Sequence, residues 1–206
     1  MPIFSLMWPS KFYMKFVKPM FDRVGALFML ILTLPILLLL PLILTFHFRR
    51  SPFFVHQRAG KDGQVFHLFK FRTMKVDFKE DSLTQLGKWV RSFSLDEIPQ
   101  FINILKGDMS IIGPRPLLIE YLDHYTSEEK RRHDVLPGIT GWAQVNGRNE
   151  IDWGKRMAYD IYYVQHASML LDLNIIWRTF LAVLQRDMTS YRNEKTITFT
   201  EYASKR

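Results

Sequence analysis

Residues 24–48 read VGALFMLILTLPILLLLPLILTFHF, and none of these 25 side chains carries a formal charge. A helix of that length is long enough to cross the hydrocarbon core of a bilayer. Pro35 interrupts the stretch near its middle and Pro41 follows, and each proline removes a helical hydrogen bond and clashes with the preceding turn. The sequence therefore predicts a helix break near Thr33, Leu34 and Pro35.

Basic side chains flank this apolar stretch on both sides. Under the positive-inside rule, such symmetry favours both ends on the cytoplasmic face. We therefore predict a re-entrant helix-break-helix hairpin within residues 1–50, which enters one leaflet and returns; a kinked full span is the alternative. The Thr33 hydroxyl is close enough to the break to satisfy a freed carbonyl. The flanking residues are Lys11, Lys15, Lys18 and Arg23 before the stretch and Arg49, Arg50, Arg58 and Lys61 after it.

Two other interpretations of the apolar stretch are disfavoured. A signal peptide has a shorter apolar region and a small-residue cleavage site, which this stretch lacks. A buried core helix of a soluble protein has polar positions on its outer face, whereas the hydrophobicity here is unbroken. The segment is therefore expected to stay in the mature protein and to contact membrane lipids.

Composition limits the partners and the metal chemistry. The chain has 206 residues, enough for one sizeable domain and a small appendage, and its net charge of +8 predicts an anionic partner. Nucleic acid, acidic lipid headgroups and phosphorylated substrates are the candidates, and the membrane segment with its scattered basic residues argues against nucleic acid. With no cysteine, any metal must take oxygen or imidazole ligands. The 17 Phe and 10 Met suggest apolar surface that meets lipid.

The remainder predicts an α+β fold that is predominantly helical. Short strands at 53–57 and 65–71, separated by RAGKDG, predict a β-hairpin. Apolar spacing predicts a helix over 82–93, and further helices are expected at 96–106 and 127–134. Residues 137–149 look like a loop, and Arg115 between Pro114 and Pro116 is expected on a stiff extended segment.

A helical pattern returns at about Asp152. The apolar run 167–184 is interrupted by Asp172, Asn174 and Arg178, so a second span is unexpected. An interfacial amphipathic helix with Trp177 near the headgroups and an ordinary core helix remain alternatives. We divide the chain into residues 1–50, a cytoplasmic domain over 51–187 and a polar tail over 188–206.

Two adjacent acids, Asp96 and Glu97, begin the predicted helix 96–106. Ser94 at the N-cap and Glu97 three residues later form the capping-box pattern, which by itself requires no catalysis. The alternative boundary places Ile98 at the N-cap and Pro99 at the first helical position.

The same pair can carry phosphoryl-transfer chemistry. Neighbouring helical residues point about 100° apart, so one carboxylate can attack while the other positions or deprotonates. Mg²⁺ is commonly held by one or two carboxylates together with substrate phosphates. A site of this kind also needs cations that offset phosphate charge. Four basic residues lie in segments that could converge on the pair: Lys70, Arg72, Arg91 and Arg115.

Three ordered motifs carry a resemblance to a known family. They are FKFRTM at 69–74, WVRSFSLDEIPQFINILKGDMSIIGPRPLL at 89–118 and HDVLPGITGWAQVNGRN at 133–149. Together with Lys18 and Asp22 before the membrane segment, they resemble the small catalytic-core form of the bacterial sugar transferases, the monotopic phosphoglycosyl transferases. The chain departs from the family pattern at Pro19, where a second basic residue is common, and at Leu34, where serine precedes the proline.

This resemblance implies a reaction and assigns roles. Asp96 matches the nucleophile that forms a phosphosugar intermediate and the position that contacts Mg²⁺, while Glu97 matches its partner. Lys70, Arg91 and Arg115 match basic positions around the substrate phosphates, and Arg148 lies in a loop close to the nucleotide-sugar pocket. The implied reaction converts a UDP-sugar and undecaprenyl phosphate into undecaprenyl-diphospho-sugar and UMP, at the cytoplasmic face of the bacterial inner membrane. The identity of the sugar is left open.

Overall fold

A computed structural model of the protein describes residues 10–75, 82–147, 151–184 and 198–204. Over these ranges the chain is mostly helical and has two small β-sheets, which confirms the predicted predominantly helical α+β class.

The N-terminal helices contain the predicted break. Helix α1 (Ser10–Phe12) and a π-helical turn (Tyr13–Val17) lead into α2 (Lys18–Leu32), and α3 (Leu34–Phe48) follows after Thr33. The Thr33 hydroxyl donates to the Met29 carbonyl over 2.6 Å, so it satisfies a carbonyl at the break as predicted. Pro35 lies in the first turn of α3, where a missing N–H costs little. Pro41 remains inside α3 and does not end it.

No single helix in the described ranges is long and apolar enough to cross a bilayer. The pair Tyr13–Leu32 and Leu34–Phe48 meets the length and composition requirement together, and the two are bent by 61° at the break. The bend agrees with the predicted hairpin, and its entry into one leaflet stays a prediction.

Most of the apolar surface of α2 and α3 is uncovered by the described parts of the chain. Ala26, Leu40, Leu44 and Phe48 form a narrow stripe that packs against the rest of the protein. A core helix of a soluble protein would be mostly buried, so that interpretation does not fit. The exposed apolar side chains are Met20, Phe21, Val24, Leu27, Phe28, Ile31, Leu32, Leu34, Leu38, Leu39, Leu42, Ile43 and Phe46.

The predicted β-hairpin is confirmed. Strands β1 (Phe53–Ala59) and β2 (Val65–Phe71) pair antiparallel, and the first residue of β1 lies opposite the last residue of β2. A 3₁₀ turn (Lys61–Gly63) connects them, with φ of 55° at Asp62 and 74° at Gly63. Alternate side chains of β2, such as Phe66 and Leu68, lie in the core beside α2.

The predicted helix over 96–106 is wrong as one continuous helix. Helix α4 (Gln85–Ser92), shorter than its predicted range, is followed by a 3₁₀ turn (Leu95–Glu97) and then by α5 (Gln100–Lys106). Pro99 takes the N-cap position of α5, because it lacks the N–H that a continuous helix requires there. Gly107 ends α5 with φ of 85°.

The predicted capping box at Ser94 is also wrong. Ser94 has φ of 55° and its side chain makes no capping hydrogen bond to the turn. The alternative with Ile98 as N-cap is off by one residue, since Pro99 has that position. The left-handed conformation at Ser94 turns the chain sharply between α4 and the acidic pair.

Residues 137–149 are not simply a loop. Strand β4 (Gly138–Thr140) pairs parallel with β3 (Ser110–Ile112), and α7 (Trp142–Val145) follows. A Cβ on Gly138 would lie 2.1 Å from the Gly113 nitrogen, so this glycine is needed for the close approach of two backbones. Three-residue strands have too few positions for a period to be recognised in the sequence.

The C-terminal half supplies the remaining helices. Helix α6 (Ser127–Lys130) continues into a 3₁₀ turn (Arg131–His133), which agrees with the predicted helix at 127–134, and a further 3₁₀ turn covers Ile119–His124. Helix α8 (Trp153–His166) starts after Asp152, whose carboxylate accepts from the Lys155 N–H.

Residues 167–184 contain helix α9 (Met169–Leu184), which has one side packed against the domain, while its placement on a membrane stays a prediction. Asp172 and Ile175 are buried against the domain, whereas the opposite side is apolar and exposed. The exposed residues include Leu170, Leu173, Ile176, Trp177, Phe180 and Leu184. Such a surface is typical of a helix that lies on a membrane.

The tail contributes to the core. Helix α10 (Phe199–Ala203) lies in the segment predicted as a polar tail, and Phe199 is fully buried beside Tyr121, Tyr125 and Trp153. The few apolar residues scattered through this polar sequence give no periodic signal, so the pattern did not predict this helix.

Candidate active site

Asp96 and Glu97 lie in the 3₁₀ turn between α4 and α5, at the edge of the β-hairpin. The Asp96 residue is 8% exposed, and the Glu97 side chain is 15% exposed. Two adjacent acids with so little exposure are costly unless cations surround them.

Glu97 is directly paired with two of the predicted cations. Lys70 Nζ lies 3.1 Å from Glu97 Oε1, and Arg115 Nη2 lies 2.5 Å from the same oxygen. Lys70 is on β2 and Arg115 is on the loop after β3, so three separate elements meet at this oxygen. The prediction that Arg115 lies on a loop is confirmed, because no helix or strand includes it.

Asp96 has a different environment. Its carboxylate accepts no hydrogen bond from any group in the described parts of the chain, although three cations act on it at longer range. Burial and the neighbouring negative charge of Glu97 raise the pKa of Asp96 to about 6, against the lowering effect of Lys70, Arg91 and Arg115.

The pKa of Glu97 moves in the opposite direction. Burial alone would raise it, but the charges of Arg115 and Lys70 and their hydrogen bonds outweigh burial and hold the pKa well below its ordinary value. Glu97 therefore stays ionised and binds cations. Asp96 is the carboxylate left available to a ligand.

Arg91 reaches the site from α4. Its Nε donates to the Thr73 hydroxyl over 2.8 Å, and Thr73 is buried. Helix α4 can approach residue 73 closely because position 87 is glycine, where a Cβ would lie 2.0 Å from the Thr73 carbonyl oxygen. Arg91 is thus fixed near the acids by its contact with the end of the hairpin.

Arg72 lies at the base of the hairpin. Its Nε donates to the Ser51 carbonyl over 2.9 Å, and its guanidinium lies 5.6 Å from the centre of the Phe54 ring. The structure therefore brings Lys70, Arg91 and Arg115 around the acids and places Arg72 against β1. The predicted phosphate-binding residue Arg148 lies outside the described residues.

A buried ion pair that sequence reasoning missed holds the loop of Arg115. Arg132 donates to Asp160 Oδ2 from Nη2 over 2.7 Å and from Nε over 3.1 Å, and both side chains are almost fully buried. Arg132 Nη2 also donates to the Arg115 carbonyl over 2.8 Å. Arg132 lies within a cluster of charged residues that resembles a solvated surface, so no sequence signal distinguished it.

The described residues contain no group of three or more His, Cys, Asp or Glu side chains placed to hold a metal. A divalent cation at this site would have few protein ligands and would need substrate phosphate oxygens and water to complete its coordination. Asp96 suits that arrangement, because its carboxylate is buried and unengaged by the described groups.

Comparisons with known proteins agree with the motifs. The sequence matches the family described as bacterial sugar transferase over residues 13–186. It is 43% identical over 188 residues to the "Uncharacterized sugar transferase EpsL" of Bacillus subtilis, a match that covers 87% of this chain and 93% of that protein.

Two longer relatives have more specific names. The chain is 34% identical over 203 residues to the UDP-galactose-lipid carrier transferase of Erwinia amylovora, covering 86% of this chain and 42% of the relative. It is 33% identical over 198 residues to the undecaprenyl-phosphate galactose phosphotransferase of Salmonella typhimurium, covering 84% and 41%. The chain therefore spans less than half the length of these two proteins. On the match to the family and to EpsL, the chain belongs to the bacterial sugar transferase family.

Proposed function

We propose that this protein transfers a sugar phosphate from a UDP-sugar to undecaprenyl phosphate and releases UMP. The main observation behind this proposal is the environment of Asp96. Its carboxylate is buried and accepts no hydrogen bond from the described residues, whereas the adjacent Glu97 is already bound to two cations. The names of the lipid-carrier and undecaprenyl-phosphate relatives support the substrate classes.

The first step is displacement at the β-phosphorus of the UDP-sugar. An Asp96 oxygen forms a bond to that phosphorus while the bond to the bridging oxygen breaks, and UMP leaves with the bonding electron pair. Lys70, Arg91 and Arg115 offset the charge that accumulates on the phosphoryl oxygens. Sugar phosphate is then bound to Asp96 as an acyl-phosphate.

The second step returns the enzyme to its starting state. A phosphate oxygen of undecaprenyl phosphate attacks the same phosphorus, and the Asp96 carboxylate leaves. The product is undecaprenyl-diphospho-sugar. The low pKa of Glu97 makes it a poor proton acceptor near neutral pH, so its role is to position Lys70 and Arg115.

Asp96 is also the protein ligand that we propose for Mg²⁺. When bound, the ion would neutralise charge on the substrate phosphates. Lys70, Arg91 and Arg115 remain the cations that the protein itself supplies around the acidic pair.

The membrane carries the acceptor in this proposal. The exposed apolar surfaces of α2, α3 and α9 suit insertion of the helix pair into the cytoplasmic leaflet of the bacterial inner membrane, which would place the site near the lipid phosphate. Lys18, which the sequence placed among the flanking basic residues, is buried and paired. We therefore expect exposed residues to attract the anionic lipid headgroups, namely Lys11, Lys15, Arg49 and Arg50.

The proposed topology is open to a direct test, because the chain contains no native cysteine. Lys11→Cys and Ser51→Cys lie on opposite ends of the helix pair. In intact cells, an impermeant thiol reagent should label neither of them, and both should react after the cells are opened. Labelling of one position from outside and the other from inside would establish a full span.

The activity is tested with a panel of UDP-sugars and undecaprenyl phosphate, scored by UMP release from protein in lipid nanodiscs. One or more sugars should give release that depends on the acceptor lipid. Absence of release with every sugar, in a preparation that retains its fold, would refute the proposal.

A single displacement, in which the lipid phosphate attacks the UDP-sugar directly, is the alternative mechanism. Incubation with a UDP-sugar labelled in its β-phosphate, without acceptor, distinguishes the two. The covalent mechanism places label on the protein at Asp96, whereas direct attack leaves the protein unlabelled.

A further inference from the structure

Arg58 is a partly buried arginine outside the set described so far. It lies near the end of β1, where the adjacent Ala59 N–H donates to the Leu117 carbonyl over 3.2 Å and ties the strand to the loop that carries Arg115. Arg58 Nε is buried and has no hydrogen-bond acceptor among the described residues. No described carboxylate lies within ion-pair distance of it. An arginine held in this way is costly unless a ligand supplies the missing acceptor.

Positive charge is concentrated around Arg58. The pKa of Arg58 is lowered to about 10. Burial is the largest cause, and the positive charge of Arg115 is the second. The pKa of Arg156 on α8 is also lowered. Burial is the largest cause, and the positive charge of Arg115 acts in the same direction. The Arg156 guanidinium lies 4.4 Å from the centre of the Trp153 ring.

The acids near this cluster are few, and two are already engaged. Asp160 is bound to Arg132, and Glu97 is bound to Lys70 and Arg115. Glu120 acts on Arg58 only at a distance, as does the Tyr121 hydroxyl. Among the described residues, these acids leave the buried Arg58 Nε without an acceptor, which favours an anionic ligand.

We propose that Arg58, Arg115 and Arg156 form a phosphate-binding subsite beside Asp96, for a phosphate other than the one under attack. Arg115 contributes to both phosphate positions, since it contacts Glu97 and its charge also acts on Arg58 and Arg156. Planar guanidinium groups donate two parallel hydrogen bonds to phosphate oxygens, which suits this ligand class. The subsite rests on the proposed function for its role in transfer.

The supports of the subsite are rigid. The Arg115 loop is held by the buried Arg132, and Trp153 beneath Arg156 packs edge-on against Tyr121 with ring centres 5.9 Å apart. The arginines thus project from fixed backbone, as a specific binding site requires.

Binding of inorganic pyrophosphate tests the subsite without requiring transfer. We would measure its Kd by calorimetry on the full chain in nanodiscs, for the wild type, Arg58→Gln and Arg156→Gln. Each variant should bind about tenfold or more weakly, as expected for the loss of a charge-assisted hydrogen bond. The controls Lys61→Gln, on the same hairpin, and Lys155→Gln, on the same helix, remove an exposed charge and should change the Kd less than about twofold.

Equal Kd values in the arginine variants and the controls would overturn the proposal. A uniform weakening in all four variants would also overturn it, because that pattern reports net charge only. Circular dichroism and Tm show which variants are folded. If Arg58→Gln does not fold, the Kd of Arg156→Gln is compared with that of Lys155→Gln to test the subsite.

Kinetic constants then assign the source of the phosphate. A raised KM for the UDP-sugar, with KM for undecaprenyl phosphate unchanged, assigns the subsite to the nucleotide phosphate; the reverse assigns it to the lipid phosphate. If the wild type releases no UMP with any sugar but the difference in pyrophosphate binding persists, the subsite stands and the proposed function fails.

Discussion

Lys18 Nζ lies 2.6 Å from Asp172 Oδ2, and this buried contact joins α2 to α9 across most of the chain. Tyr13 and Tyr163 donate to the same carboxylate over 2.6 and 2.8 Å. One carboxylate therefore connects the apolar helix pair to the helix with the exposed apolar face and to α8. These elements are held at a fixed angle to one another by polar contacts within an otherwise apolar contact region.

Removal of one member of this group should be strongly destabilising. Asp172→Asn removes the close partner of the buried Lys18 charge and leaves only Asp22, whose Oδ1 lies 3.9 Å from Lys18 Nζ, so the loss of stability should be about 3 kcal/mol. The loss of stability is measured as the difference in Tm between the wild type and the variant, both in nanodiscs. Lys15→Gln removes an exposed charge three residues earlier and is the control, with a change of less than about 0.5 kcal/mol expected. Equal effects of the two changes would contradict the buried pairing.

The two acids of the active site should respond differently to removal of charge. Asp96→Asn should abolish UMP release, because an amide cannot form the acyl-phosphate. Glu97→Gln should lower kcat by about 10²–10³-fold, as expected for displaced electrostatic groups, while the protein is still labelled by the donor. Trapped label and UMP release, measured side by side, separate these outcomes. Labelling of Asp96→Asn would contradict its assignment as the nucleophile.

Activity should depend on pH through Asp96. Because its pKa is raised to about 6 and the nucleophile must be ionised, kcat/KM should fall about tenfold per pH unit below 6 and level off above it. Glu97 stays ionised over this range because its pKa is lowered. A pH series of initial rates in nanodiscs measures the midpoint. An acid limb centred near 4, the ordinary value for a carboxyl group, would contradict the buried environment of Asp96.

The raised pKa of Asp96 also has a consequence for stability. The folded protein holds this proton more tightly than the unfolded chain, so ionisation of Asp96 lowers stability as pH rises from the unfolded value of 3.8 through about 6. Asp96→Asn should therefore be more stable than the wild type at pH 8, by up to about 3 kcal/mol. The difference should disappear below about pH 4. A Tm that is lower in the variant at pH 8 would show that the carboxylate is stabilising in the fold.

Arg132 and Arg131 provide a matched pair. Arg132→Gln leaves Asp160 buried without its cation and releases the Arg115 carbonyl, so it should cost about 3–5 kcal/mol and weaken binding of the phosphate substrate. Arg131→Gln removes an exposed pair with Glu128 and should cost less than about 1 kcal/mol. Tm and KM for the UDP-sugar measure the two effects. Similar values for the two variants would show that the buried pair does not hold the loop.

Features set by nearby residues were predictable from the sequence. The break at Pro35 and the β-hairpin depend on proline chemistry and on alternating apolar residues, and both were predicted. The convergence of Lys70 and Arg115 on the acidic pair was expected because phosphate chemistry requires cations near a carboxylate.

Features set by distant contacts were not predictable. Ser94 adopts its left-handed conformation where the chain turns from α4 to α5, and the local sequence suggested a helix cap instead. The β3–β4 pairing joins three-residue strands that are far apart in the sequence. Asp160 and Arg132 are separated by 28 positions, and neither lies in a pattern that distinguishes a buried pair from surface charge.

Glu97 has a consequence beyond its pairing with two cations at one oxygen. A carboxylate that holds Lys70 and Arg115 before substrate arrives serves as an internal substitute for a phosphate group. The conformational entropy of those two long side chains is lost during folding, not during each catalytic cycle. After each product leaves, the cations can return to the same oxygen, so the site regains its starting geometry without recruiting an ion from solution.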